Sequence, residues 1–255
     1  MEHLLGTPFD LRLLAVVAAV LIGGFMRGFV GFGGALVTVP VLSVVWGPQA
    51  AVAITGVMGI PSLFQLLPEA VRYSERPIVI PVAVTTFLTA PVGSWVLVSV
   101  DPKLMTIVIS GLVIAMVAML AQGRASKSNI GLPALIGAGA AGDLIQGAAG
   151  IGGPPVVAVA LSRGGSPKQQ RANVLAVMTA IASASLLPLW YLGVFTRQTV
   201  ILGVLLFPLY IAATMFGSRY FSKGGHRHYR QAALATLAVI AIATLVASLR
   251  SYLAA

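Results

Sequence analysis

Two charged side chains stand inside long apolar runs of the chain, Arg27 and Asp143, and each is next to a glycine of a repeated pattern. An ionisable group at mid-bilayer costs about 2.5–3.5 kcal/mol on insertion scales, so its presence there points to function. Arg27 has the chemistry to pair with an anion, and Asp143 to carry a coupling proton. The competing reading is a structural ion pair between the two. The glycine pattern is G-x4-G-x2-G-x-G-G: Gly23, Gly28, Gly31, Gly33 and Gly34, then Gly142, Gly147, Gly150, Gly152 and Gly153 at an offset of 119 residues. Gln146 occupies the position of Arg27 in the second copy, offering hydrogen bonds without charge.

Breaking a helix in lipid frees backbone N–H and C=O groups, at several kcal/mol each unless protein, water or a ligand satisfies them. Each glycine break is therefore expected to line a cavity. Gly33-Gly34 and Gly152-Gly153 can take positive φ, and each pair precedes an apolar helical stretch. The helix beginning there would aim free N–H groups and its positive dipole end into the cavity, which favours an anion. Pro154 and Pro155 fall in its first turn, where a missing N–H costs little. The substrate-binding set expected from this is Arg27, Gly28, Gly31, Gly33, Gly34, Gln146, Gly147, Gly150, Gly152 and Gly153.

Gln65 and Asn173, on the helices that follow the tips, complete the set. Thr55 and Thr179 are weaker candidates, because mid-helix threonines often bond their own backbone. Arg171 reads as a cytoplasmic anchor. Close helix packing of the GxxxG kind is the structural alternative for the glycines. A phosphate loop is excluded, since no Lys-Ser/Thr follows them. The chain has no cysteine, and His3, His226 and His228 form no metal or nucleophile motif, so no catalytic residue, metal or cofactor is expected.

Composition says what must position these residues. Of 255 residues, 58% are hydrophobic and only 9% charged, where a soluble domain carries about 25%. Lipid must be the solvent for most of the surface, which excludes a soluble enzyme or a nucleic-acid module. Apolar runs cover 11–46, 49–67, 77–99, 103–121, 130–162, 170–192, 198–217 and 231–249. Uninterrupted runs of this length are helices rather than the alternating strands of a barrel. The first and fifth runs are too long for one crossing, and they hold the two glycine patterns.

Charge counting decides how those two runs sit. As single crossings they leave seven and eight Lys/Arg on the two sides. As re-entrant hairpins they place eleven on one side (Arg72, Arg76, Arg124, Lys127, Arg163, Lys168, Arg171, Arg219, Lys223, Arg227 and Arg230) against four on the other (Arg12, Lys103, Arg197 and Arg250). The positive-inside rule selects the second arrangement, with both termini outside. The formal charge of +10 is thus a topological signal. A hairpin plus three crossings is an odd number, so the second half starts on the opposite side. The fold class expected is an all-α integral membrane protein of two inverted repeats, each a broken hairpin followed by three transmembrane helices. The first repeat covers 1–122 with its hairpin at 11–46, the second 129–255 with its hairpin at 130–162, and 123–128 is a cytoplasmic linker.

The segments GFVGFGGALVTVPVL (Gly28 to Leu42) and GAAGIGGPPVVAVAL (Gly147 to Leu161), each opening half of a chain of this length, resemble the sulfite exporter TauE/SafE family. The resemblance implies a permease of the plasma (inner) membrane for a small sulfur-containing anion such as sulfite or an organosulfonate. Pro40 has Val159 as its counterpart and Pro154-Pro155 has none, so the two tips are not expected to be equivalent. The function expected is secondary transport by alternating access around a midplane site, coupled to protons through Asp143. Its partners are the anion, the proton and the lipid bilayer, and a homo-oligomer is compatible with it; nucleic acid is not a partner. An anion channel, with the tips as its constriction, or a non-transporting structural subunit are the alternatives.

Overall fold

The computed structural model describes residues 11–122, 131–160, 167–222 and residue 246. The linker 123–128 and, apart from residue 246, the eighth apolar run lie outside the described residues, as do His3, His226 and His228. The described chain is helical, without strands: α1 Leu11–Val30, α2 Gly34–Trp46, α3 Pro48–Tyr73, α4 Arg76–Ser99, α5 Pro102–Gln122, α6 Leu132–Ala149, α7 Gly153–Ala160, α8 Pro167–Tyr191 and α9 Arg197–Ser222. Five of these, α1, α3, α4, α8 and α9, are long and apolar enough to cross a membrane.

The breaks follow local chemistry. Proline opens α3 after Gly47, whose φ of 86° turns the chain, and Pro77 and Pro133 stand in the first turns of α4 and α6. Asp101 accepts the N–H groups of Lys103 and Leu104 at 2.9 and 3.1 Å, capping the start of α5.

Small residues decide which helices touch. α1 runs parallel to α9: a Cβ on Gly24 would lie 2.6 Å from the carbonyl oxygen of Tyr210, and one on Gly28 only 1.9 Å from that of Thr214. α6 runs parallel to α4 in the same way, with Gly147 against Gly93 and Ser94 and Gly139 against Val82. In lipid this close backbone approach replaces the hydrophobic effect as the force between helices. α9 also crosses α3, as α4 crosses α8. Between the two pairs, α3 and α8 lie antiparallel, since Glu69 meets Arg171 at one end while Gly56 faces Leu186 toward the other.

The buried core runs through the middle of this arrangement and includes Leu36, Val39, Ile54, Met58, Ile151 and Ile181. The outer faces carry exposed Phe64, Leu88, Leu187, Leu205 and Phe216, as lipid-facing helices should. The basic end of α8 meets the end of α3: Lys168 Nζ sits 3.9 Å above the Tyr73 ring, with Arg72 beside it. Trp46, Trp95 and Trp190 close α2, α4 and α8 at their C-terminal ends.

Candidate functional site

Each glycine pattern folds into a helical hairpin. Gly31, at φ 93°, and Gly150, at φ 69°, donate their N–H groups to the carbonyls of Arg27 and Gln146 at 2.9 and 2.7 Å, ending α1 and α6 at equivalent positions. α2 then returns along α1, with Gly34 beside Arg27 and Thr38 beside Gly23. α7 returns along α6, with Val156 against Gly142. Gly33 takes φ 90°, but Gly34, Gly152 and Gly153 do not take positive φ, so the turning glycines are Gly31, Gly33 and Gly150.

The two tips meet: a Cβ on Gly153 would touch Phe32 at 3.9 Å. Around their junction lies a cavity of about 100 Å³. Residues of both tips line it (Arg27, Gly33, Gly34, Gln146, Gly150 and Gly153), together with the middle of α3 from Val52 to Leu63, the face of α8 from Met178 to Leu189, and Tyr210 of α9. Space of this size takes several waters or one small ligand.

The first tip is the polar side. No side chain caps α2, so the N–H groups at its start, from Gly34 to Leu36, remain available where those residues line the cavity. Arg27 has neither a hydrogen-bond nor an ion-pair partner among the described residues, and its nitrogens are open to the cavity. The second tip is partly satisfied internally, because Gln146 Oε1 accepts the Gly152 N–H at 3.0 Å.

Other expected residues sit elsewhere. Gly28 and Gly147 make the helix crossings described above, Gly31 packs on Leu175, and Gly152 packs against the Gly142 carbonyl. Gln65 is exposed on the outer face of α3. Asn173 is buried and binds Glu75, accepting its backbone N–H at 2.7 Å and donating to its carboxylate at 3.2 Å, which fixes the start of α4. Thr179 bonds the Leu175 carbonyl of its own helix.

Arg171 is not a solvated anchor. Its side chain is buried, pairs with Glu69, and donates to the Gly28 carbonyl at 2.7 Å, satisfying an orphan acceptor in the last turn of α1.

Asp143 is fully buried at the α4–α6 contact, outside the cavity lining. Its Oδ2 accepts from the Thr89 hydroxyl at 3.0 Å, while Oδ1 has no partner within hydrogen-bonding distance among the described residues. No ion pair joins it to Arg27 among the described residues. Ser185, which lines the cavity, is close to the carboxylate and links it to the cavity wall.

Residues 16–244 match the model of the sulfite exporter TauE/SafE family. The chain belongs to the sulfite exporter TauE/SafE family. Searches of curated proteins and of solved structures found no match. The family is one of membrane transporters that export sulfur anions, so membership and the apolar helices together make this an integral membrane protein of the transporter class. The matched span covers both hairpins and the cavity between them. Within this TauE/SafE chain, Tyr210, Thr89, Ser185 and Glu69 are polar members of the cavity or its supports that spacing did not reveal. Each lies outside the duplicated glycine pattern; for Tyr210, Thr89 and Ser185 the only available signal was a polar group within an apolar run, and Glu69 falls between two runs.

Proposed function

We propose that the chain is a secondary transporter, not an enzyme, that moves a small sulfur oxyanion or organosulfonate across the inner membrane by alternating access. The observation that carries this is the Arg27 guanidinium, without a hydrogen-bond or ion-pair partner among the described residues, at a cavity between two broken helices and beside the uncapped start of α2. A fixed cation with no counter-ion among the described residues, in a largely apolar setting, calls for an anionic ligand. Of the residues expected to bind substrate, the lining set Arg27, Gly33, Gly34, Gln146, Gly150 and Gly153 is retained.

Two inverted repeats, 1–122 and 129–255, supply the motion. In support, α1 pairs with α9 as α6 pairs with α4, and the equivalent helices α3 and α8 run antiparallel. The repeats exchange helices: one packed unit joins α1 and α2 to α9, the other joins α6 and α7 to α4, and the cavity lies where the two units face each other. Rocking one against the other would expose the site to one side at a time. Both termini lie outside in this reading, and Asp143 carries the coupling proton.

The test is flux of labelled sulfite and of a labelled alkanesulfonate in proteoliposomes. Saturable flux that is lost in Arg27→Ala is the expected result. Flux that rises without saturation would instead favour a channel, and flux equal to that of empty liposomes would remove transport altogether.

A further inference from the structure

Tyr210 projects from α9 into the cavity with 4% of its surface exposed. Its hydroxyl makes no hydrogen bond among the described residues, yet it is not sealed from the cavity. A phenol this deeply buried ordinarily finds a partner for its O–H. Its position is unusual too. A Cβ built on Gly34 would lie 2.4 Å from Tyr210 Oη and 3.2 Å from Arg27 Cβ, so the hydroxyl, the stem of the arginine and the first residue of α2 converge on one point. Glycine at 34 is what leaves room for the hydroxyl. The tyrosine is held there by backbone contact, since its own carbonyl is pressed against Gly24 and accepts from Thr214 at 2.7 Å.

Resting on the function proposed above, we infer that Tyr210 is a substrate-contacting residue that reads the third oxygen of the anion's head group. A guanidinium engages two oxygens in a planar fork, which is all that a carboxylate has. A sulfonate or sulfite is pyramidal and carries a third oxygen out of that plane. The Tyr210 hydroxyl and the open start of α2 lie together beside the fork and supply donors for it. Away from Arg27 the lining is mostly apolar, with Ile151, Met178, Ile181 and Leu186 interrupted by the hydroxyls of Thr55, Ser62 and Ser185, and it takes the remainder of an organic anion. The charged head is thereby confined to the first tip, where the second tip offers Gln146 already bonded to Gly152. Tyr210 makes a hairpin of the first repeat and a helix of the second repeat parts of one binding site.

The experiment is titration of purified protein with ethanesulfonate and with propionate, which share a chain length and differ in the head. Wild type should prefer ethanesulfonate. Tyr210→Phe should weaken ethanesulfonate about tenfold, the factor expected for loss of one hydrogen bond to a charged group, and leave propionate nearly unchanged. Gly34→Ala, which places a methyl where the hydroxyl sits, should reduce the same preference with Tyr210 still present. Equal weakening of both ligands, or no change in either, in a Tyr210→Phe protein of unaltered Tm would overturn the inference. Should Tyr210→Phe lower the Tm, the Gly34→Ala ratio decides by the same criterion. Arg27→Gln separates the two readings: ethanesulfonate affinity unchanged by it would remove the anion site itself, whereas loss of affinity there with an unmoved Tyr210→Phe ratio removes only the role of Tyr210.

Discussion

At the scale of single residues, the two charges flagged by the sequence have different fates. Arg27 lines the cavity with no hydrogen-bond or ion-pair partner among the described residues, whereas Asp143 is buried beside the hydroxyls of Thr89 and Ser185. Arg27→Ala should therefore weaken a sulfur anion by roughly ten- to a hundredfold, as for loss of charge-assisted hydrogen bonds, measured by calorimetric titration. Asp143→Asn keeps the shape and the Thr89 contact but cannot exchange a proton. Wild-type flux is expected to follow an imposed pH gradient, and flux through the Asp143→Asn protein to ignore it; identical pH responses in paired proteoliposome assays would end the coupling role. Arg27 and Asp143 were legible because a charge in an apolar run has few explanations. Tyr210 was not, because a tyrosine in such a run is unremarkable until the fold sets it against Gly34.

Elements explain why a single glycine pattern serves two purposes. Gly33, Gly34, Gly150 and Gly153 line the cavity, but Gly28 and Gly147, in the same pattern, let α1 approach α9 and α6 approach α4. Spacing located the hairpins, since the breaks fall between α1 and α2 and between α6 and α7. It could not sort turning glycines from packing glycines, because that depends on which helix comes to lie alongside. Gly28→Ala forces a methyl to within 1.9 Å of the Thr214 carbonyl, a backbone atom that cannot rotate away. Overpacking of this kind costs about 1–3 kcal/mol or more, so a clear loss of Tm is expected with Gly59→Ala, whose Cβ would meet nothing within 4 Å, as the control. The Arg171–Glu69 pair makes a second such case. It ties α8 to α3 and, through the Gly28 carbonyl, to the first hairpin, so Arg171→Leu leaves both an unpaired carboxylate and an orphan carbonyl. Loss of one partner of a buried pair costs about 3–5 kcal/mol, and partial exposure of Glu69 places the expected loss at the low end.

For the whole molecule, the decisive quantity is the side on which each loop lies. The asymmetry of eleven basic residues against four arises only if both hairpins are re-entrant, and α2 and α7 do return along α1 and α6. Two further features agree with that arrangement. Arg72, Lys168 and Arg171 gather where the end of α3 meets the start of α8, while one tryptophan stands near the C-terminal end of each of α2, α4 and α8, ends that the charge count would place on the sparsely charged side. Tryptophan prefers the membrane–water interface, so under the proposed topology these residues would form an aromatic belt on the sparsely charged side and a basic belt on the other. Because the chain has no cysteine, a single introduced one reports its side without background. Lys103→Cys, at the start of α5, and Arg197→Cys, at the start of α9, should each react with a membrane-impermeant maleimide added to intact cells. Arg124→Cys should react only after permeabilisation. If Arg124→Cys alone labels from outside, the molecule is upside down; if Lys103→Cys and Arg197→Cys fall on opposite sides, the second hairpin crosses the membrane and is not re-entrant, and if its duplicate crosses likewise the two halves are not inverted. The second outcome would also dismantle alternating access, since that motion requires the two tips to enter from opposite faces before they meet at Phe32 and Gly153.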